Sequence, residues 1–392
     1  MKVVSGFLTY FLLLGLVLTG CTKIEPIEPP TPQLPPPRTV LAYIAADNSL
    51  NSFAYENIQS MLNGAQGNNL NNGNLLVYLD SQTETPKLFQ ITTLEDGTIG
   101  KKIIRTYEER NSASVDVMRS VLDDVFKSGN YKSDSYGLIL WSHGTGSLPS
   151  NVSGYLRSFG QDKTNFMEVN DLKEALTGYP LDFIIFDACY MASIEVCYAL
   201  RNTTDYILAS PTEVLGSGLP YEHILKYFFT KEPIADALQK IGHAFYTYYE
   251  EQQGGASLPK SASTALVKTA GLDQLAAISR EILAGKKEAI DALSTGTIQI
   301  YEHLGFSNHS LFDLGDFVKQ LATADQYNRF ISSLDNVVIY KQTTDIAYYN
   351  TRETVMVDKE RYSGLSVYIP QPQLAPLNDW YMNLEWCKTV FK

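Results

Sequence analysis

The stretch Pro180–Met191 reads P-L-D-F-I-I-F-D-A-C-Y-M, an apolar run that stops abruptly at an acid and a thiol. A run of β-branched and aromatic residues with no helical period predicts a strand buried on both faces. Four other segments have the same character: Thr39–Ala46, Leu75–Asp80, Tyr136–Trp141 and Asp205–Ser210. Helical patterns separate most of them, including Asn51–Gly64, Ser114–Lys127, Val169–Leu176 and Ser193–Arg201. Alternation of this kind predicts a parallel sheet covered by helices on both sides. Such sheets place their sites at the carboxyl ends of the strands. Cys189 is expected there, where the strand gives way to a helix whose N-terminus would lower the thiol's pKa.

Composition narrows the possible partners. A formal charge of −12 over 392 residues argues against nucleic acid, whose phosphates require a basic face. The apolar fraction of 44% and charged fraction of 19% are those of a globular protein. Four cysteines, at 21, 189, 197 and 387, are too few for a disulfide framework, and no pair has zinc-ligand spacing. Cys197 and Cys387 are read as core residues, and His223, His243, His303 and His309 as surface or capping residues. The N-terminus has a basic Lys2 and an apolar stretch from Phe7 to Leu18, too short for a comfortable membrane span. It ends in L-T-G-C, which resembles a bacterial lipobox, with Cys21 as the lipidated residue. Acyl chains contribute about 0.8 kcal/mol per buried CH₂, so several make a stable anchor. Seven prolines between Pro26 and Pro37 then form an extended spacer. The expected location is the outer membrane or cell surface of a bacterium, with the membrane met only through the lipid.

Other expectations are local. Lys87–Thr92 and Lys101–Arg105, split by Asp96-Gly97, predict a hairpin off the main sheet. Ser147–Thr164, rich in Gly and Ser, predicts an exposed loop. Ala262–Lys268 predicts a further strand, Leu272–Leu293 one long helix, and Gly364–Pro370 a final strand. Asp182 and Glu195 are expected to be solvated charges, and Asp47 and Asn48 to cap the helix that follows them.

The chemistry lies at two strand tips. Tyr136–Trp141 runs into S-H-G, placing His143 where it can meet Cys189, because adjacent strands lie about 4.8 Å apart. An imidazole can take the thiol proton and return it to a leaving amine. The N–H groups of Gly144 and Cys189 are candidates for an oxyanion site. Caspases carry a histidine about 50 residues before their A-C motif, and the spacing here is close to that. A serine hydrolase using Ser142 or Ser210 would lack the G-x-S-x-G elbow.

Together, V-L-A-Y-I-A-A-D-N-S-L (Val40–Leu50), L-I-L-W-S-H-G (Leu138–Gly144) and L-D-F-I-I-F-D-A-C-Y-M-A-S-I-E-V (Leu181–Val196) resemble the clostripain family of cysteine peptidases, in the caspase-like clan. L-A-S-P-T-E-V-L-G-S-G-L-P-Y (Leu208–Tyr221) and G-L-S-V-Y-I-P (Gly364–Pro370) extend the resemblance over nearly the whole chain after the spacer. It implies a caspase-like three-layer α/β/α fold with a mostly parallel sheet and a smaller C-terminal extension. It also implies a Cys189/His143 dyad that cleaves peptide bonds after Arg or Lys, with Asp187 in the specificity pocket. A buried carboxylate makes charge-assisted, bidentate bonds to a guanidinium, which accounts for such a preference. Ser217 stands between Gly216 and Gly218 where the family usually offers a second acid, predicting weaker selection for a basic residue. The histidine segment continues as Gly144-Thr145-Gly146-Ser147 instead of a glycine run with a Trp. Some relatives mature by self-cleavage after the histidine, and Arg157 is the candidate processing site here. Some require calcium, but the chain has no D-x-[DN]-x-[DN]-G loop, and no cofactor is expected.

The domain reading is therefore a signal peptide and lipobox at 1–21, a Pro-rich linker at 22–37, a catalytic core at 38–260, and a C-terminal part at 261–392 that completes the sheet and helical layers. The expected activity is that of a monomeric, exported, lipid-anchored cysteine endopeptidase acting on proteins or peptides. The alternative is a catalytically weak or inactive surface lipoprotein of the same fold that binds peptides.

Overall fold

The computed structural model describes residues 38–148, 159–302, 309–350 and 353–391. Cys21, the proline spacer and Arg157 lie outside the described residues. Nine strands form one sheet: β1 (Thr39–Ala46), β2 (Asn74–Ser81), β3 (Lys87–Thr93), β4 (Ile99–Thr106), β5 (Tyr136–Trp141), β6 (Leu181–Asp187), β7 (Thr204–Ala209), β8 (Ser263–Lys268) and β9 (Val338–Thr343). Their spatial order is β9-β8-β7-β6-β5-β1-β2-β3-β4. The five strands from β7 to β2 are parallel, and the two pairs at the edges are antiparallel.

The apolar runs become central strands because both faces of the sheet are covered. Along β1, Leu41, Tyr43 and Ala45 pack on one face, and Val40, Ala42, Ile44 and Ala46 on the other. The second face is closed by α1 (Asn51–Gly64), α5 (Tyr221–Phe228) and α6 (Ile234–Glu250). The first is closed by α2 (Val115–Leu122), α3 (Val169–Leu176), α4 (Ile194–Ala199) and α7 (Leu272–Leu283), together with the helix Ala324–Val337 and the C-terminal helices. This is the three-layer α/β/α arrangement. Each fully buried Leu, Ile or Val contributes about 1.5–3 kcal/mol, so the alternating faces of five central strands supply a large share of the folding energy.

Several local expectations are corrected. The hairpin β3–β4 extends the main sheet, because β3 pairs directly with β2 from Leu75↔Ile91 to Leu79↔Lys87. Part of the expected loop 147–164 is a small hairpin, Phe159–Asp162 against Asn165–Met167, anchored by the buried Phe159. The long helix is broken after Leu283, where Gly285 turns through φ +72°. The helical pattern Ser114–Lys127 becomes α2 from Val115 and a π-helical turn from Asp123, and the Ser114 hydroxyl before it donates to Asn111 O. Asp182 is tied down: it accepts the amide of Tyr136 at 2.6 Å, pinning the start of β5 to β6.

Glu195 departs furthest from expectation. It is 1% exposed, and α4 around it is buried throughout. The C-terminal strand Ser366–Tyr368 covers this helix and meets Ser193 in an isolated bridge. Ser366 donates its amide to Ala192 O, and Tyr368 donates its amide to the Glu195 carboxylate at 2.9 Å. Burial pushes Glu195 up to about 7, against the bond from Tyr368. The folded state therefore holds a proton that the unfolded chain releases above its ordinary carboxyl range. Stability from this group is present at pH 4 and lost as pH rises through about 7. Glu195→Gln keeps the acceptor and removes the titration. Thermal melts should find the variant equal to the parent near pH 4 and more stable above pH 7, by up to about 3 kcal/mol.

Candidate active site

The carboxyl ends of β1, β5, β6 and β7 open onto the same edge of the sheet. Between β1 and β5 the strand order reverses, because β1 leads to β2 on one side while β5 pairs on the other. Open α/β sheets form a crevice at such a switch point. The loop after β1 brings Ser49, the loop after β5 brings His143, the loop after β6 brings Cys189, and the loop after β7 brings Glu213 to Gly218.

His143 is held by its neighbours in sequence and in space. Ser142 donates its hydroxyl to Ala45 O at 2.7 Å and accepts the Gln161 amide at 3.0 Å. The His143 carbonyl accepts the amide of Gly160 at 2.9 Å, and Gly144 bridges to Phe159. The imidazole Nε2 lies 2.9 Å from Ser49 Oγ. Asn48 supports that segment, donating to Ala45 O and Gln161 O while its Oδ1 accepts the Leu50 amide. The D-N-S-L motif thus places Ser49 on the histidine, whereas the expected capping is corrected: Leu50 is the N-cap of α1 and no side chain caps it. Gly144 is required by proximity: a Cβ there would lie 2.6 Å from the Cys189 carbonyl oxygen.

Cys189 is two residues past the end of β6, but α4 begins only at Ile194, with Ser193 as its N-cap. The expected placement of Cys189 at a helix N-terminus is therefore corrected. Between them Tyr190 adopts φ +64°, a left-handed conformation that costs a non-glycine residue about 1–2 kcal/mol. The turn is fixed by the Tyr190 amide on Thr212 O and the Ala192 amide on Ser210 O, both at 2.9 Å. The thiol exchanges two hydrogen bonds with one residue: Sγ donates to Val214 O at 3.4 Å and accepts the Val214 amide at 3.2 Å. Burial, and then the nearby Glu213, push the Cys189 thiol well above its usual range. Among the described residues, neither the Cys189 amide nor the Gly144 amide is engaged by a backbone acceptor.

His143, Asp187, Cys189, Glu213, Val214 and Gly218 line one narrow pocket of about 100 Å³. Asp187, the last residue of β6, is buried, and its Oδ2 accepts both the Leu219 amide (3.1 Å) and the Tyr221 hydroxyl (2.8 Å). Burial raises it to about 6 despite those bonds. Ser217 turns away: its hydroxyl lies 2.9 Å from the Tyr249 hydroxyl, which in turn donates to Gly218 O. Gly216 and Gly218 on either side of it line the pocket. Glu213 was not singled out from the sequence, although it lies in the quoted loop L-A-S-P-T-E-V. Burial pushes it up to about 8, and a bond to Tyr190 opposes that shift. Among the described residues no three His, Cys, Asp or Glu side chains converge as metal ligands. Cys197 and Cys387 are buried in the core, away from this pocket.

Residues 42–391 match the clostripain family. Clostripain of Hathewaya histolytica is 25% identical over 219 residues, a match that spans 47% of this chain and 41% of that protein. The structure is similar to that of an inactive zymogen C11 protease from Parabacteroides distasonis, with a TM-score of 0.82 and 43% identity over 91% of this chain and 99% of that one. It is also similar to a secreted C11 cysteine protease from Bacteroides thetaiotaomicron in complex with an irreversible peptide inhibitor, with a TM-score of 0.78 and 34% identity over the same shares of each chain. With the fold, the pocket and the match along nearly all of its described length in agreement, the chain belongs to the clostripain family of cysteine peptidases.

Proposed function

We propose that this protein is an exported, lipid-anchored cysteine endopeptidase that cleaves after Arg or Lys using a Cys189/His143 dyad. One observation carries the reading: a histidine from the tip of β5 and a cysteine and a buried carboxylate from the tip of β6 line a single pocket. The peptide inhibitor bound to the secreted Bacteroides thetaiotaomicron relative supports peptide substrates.

In the proposed reaction His143 takes the thiol proton and the thiolate attacks the scissile carbonyl. The amides of Cys189 and Gly144 would receive the developing oxyanion. His143 then protonates the leaving amine, and water releases the acyl group from Cys189. Asp187 would pair with the guanidinium or ammonium of the residue before the scissile bond. The state described here is at rest: Val214 holds the thiol, Ser49 contacts the imidazole, and the pocket is narrow. The inactive zymogen among the relatives supports reading this as a precursor. Cleavage at Arg157, two residues before the Phe159 that bridges Gly144, would then free the histidine loop to move.

Labelling tests the dyad. A chloromethylketone bearing Arg or Lys should modify the parent and leave Cys189→Ala unmodified, with turnover of a peptide library reduced by at least about 10³-fold in the variant. A parent that is neither labelled nor active on any library member would overturn the enzyme reading and leave a peptide-binding lipoprotein.

Asp187 must be ionised to pair with a cation, so preference for Arg over a neutral side chain should grow as pH rises through about 6. In Asp187→Asn, kcat/KM ratios measured from pH 5 to 8 should lose both the preference and its pH dependence. For the anchor, Cys21→Ser should shift the protein from the membrane fraction to the soluble fraction and abolish labelling by a fatty-acid analogue.

A further inference from the structure

Asp187 alone is a poor match for a basic side chain. An ammonium brings three donors and a guanidinium five. Asp187 Oδ2 already accepts two hydrogen bonds. Two other features, one beside this pocket and one in its wall, are suited to receive the remaining donors.

The first is a notch at Gly218, whose φ is +64°. A Cβ there would lie 2.8 Å from Asp187 Oδ2 and 2.8 Å from Asn57 Oδ1, so the two oxygens face one small space. Asn57 is 1% exposed, and its amide nitrogen donates to Phe53 O at 2.8 Å. Its Oδ1 is buried with no hydrogen-bond partner among the described residues. A buried acceptor left without a donor is unfavourable unless a ligand supplies one.

The second is Glu213, on the wall shared with Cys189. It is partly buried, Tyr190 supplies its side-chain hydrogen bond, and among the described residues no Lys or Arg opposes its charge. Nor does a cation oppose Asp187. The titratable groups around Glu213 are Cys189 and Tyr190 on the β6 loop, Asp187 at the β6 tip and His143 on the β5 loop. Among these, Glu213 is the stronger charge acting against the Cys189 thiolate, with Asp187 the weaker. Two carboxyl groups therefore oppose ionisation of the thiol in a pocket whose described lining residues include no Lys or Arg.

We propose that Glu213 is the second acid of the specificity pocket, standing in for the acid absent at Ser217, and that a substrate cation bound between Glu213, Asp187 and the Asn57 oxygen also relieves the repulsion on the Cys189 thiolate. The proposal rests on the preference for basic residues and deepens it, because substrate charge then activates the nucleophile as well as securing the bound side chain. With a neutral side chain in the pocket, one or both carboxyls stay protonated or unpaired and the thiol stays protonated. With a cation, Glu213 releases its proton to solvent, the carboxylates are compensated, and the thiol proton can pass to His143. Selectivity is exerted on the chemical step in addition to binding.

Glu213→Gln keeps the shape and the bond to Tyr190 while removing the charge. Two measurements on the full chain test the idea. In the first, the ratio of kcat/KM for an Arg peptide over its norleucine analogue should fall by roughly 10- to 100-fold in Glu213→Gln, as expected for loss of one charge-assisted pairing, and recover substantially in Glu213→Asp. In the second, iodoacetamide alkylation of Cys189 is followed against pH without substrate. Its midpoint should shift to lower pH in the Gln variant, and ethylguanidinium should accelerate alkylation of the parent but not of that variant. An unchanged midpoint and no effect of ethylguanidinium would overturn the proposal and leave Glu213 as a support for the Tyr190 turn. The alkylation readout needs no peptide cleavage, so loss of the peptidase reading and loss of this one are separate results.

Discussion

The Cys189 carbonyl oxygen lies where a side chain at position 144 would begin. This contact between two strand tips governs the arrangement around it. Parallel strands five ångströms apart bring the histidine and cysteine loops together only if one loop has no side chain at the crossing. Gly144 meets that condition. The rest of the region keeps the two loops in this relation: Ser142 on the β1 carbonyl, Phe159 bridging Gly144, and the left-handed Tyr190 turn tied to Thr212. The thiol then meets the backbone of Val214.

Two acids near this core, Asp187 and Glu195, are buried and a third, Glu213, is partly buried; desolvation raises each from its ordinary range, and no Lys or Arg among the described residues offsets it. They do different work. Glu195 joins the helix after Cys189 to the strand Ser366–Tyr368, a role in which its protonated form serves as well as its charged one. Asp187 shapes the pocket by holding Leu219 and Tyr221 on one oxygen. Desolvated carboxylates oppose folding at neutral pH, and natural proteins retain such groups where function needs them.

Much of this was legible in the sequence. The buried strands were readable because a parallel sheet covered on both faces leaves uninterrupted apolar runs, and these fix where β1, β2, β5, β6 and β7 lie. His143 and Cys189 follow two such runs directly, so their meeting at one edge is a consequence of topology, and Asp187 shares the motif. Ser49, Asn57 and Glu213 were not legible as members of one site, because their roles arise from loops that only the folded sheet brings together. Glu195 misled for a related reason: in a short helix its polarity suggests a solvated face, and nothing nearby in sequence announces that Ser366–Tyr368 will cover it. Cys189 was placed too close to its helix because the sequence does not reveal that Tyr190 turns left-handed.

That cover has a temporal consequence. The strand Ser366–Tyr368 satisfies Ala192 and Glu195, and the indole of Trp380 donates to Ser147 O beyond the histidine. The loops that carry His143 and Cys189 are thus braced by residues near the end of the chain. A growing polypeptide presents both reactive side chains long before it can brace them, and contacts of such long sequence separation form slowly. The surroundings of Cys189 are completed only when Ser366–Tyr368 and Trp380 have docked, which makes this edge of the sheet one of the last parts of the fold to be braced.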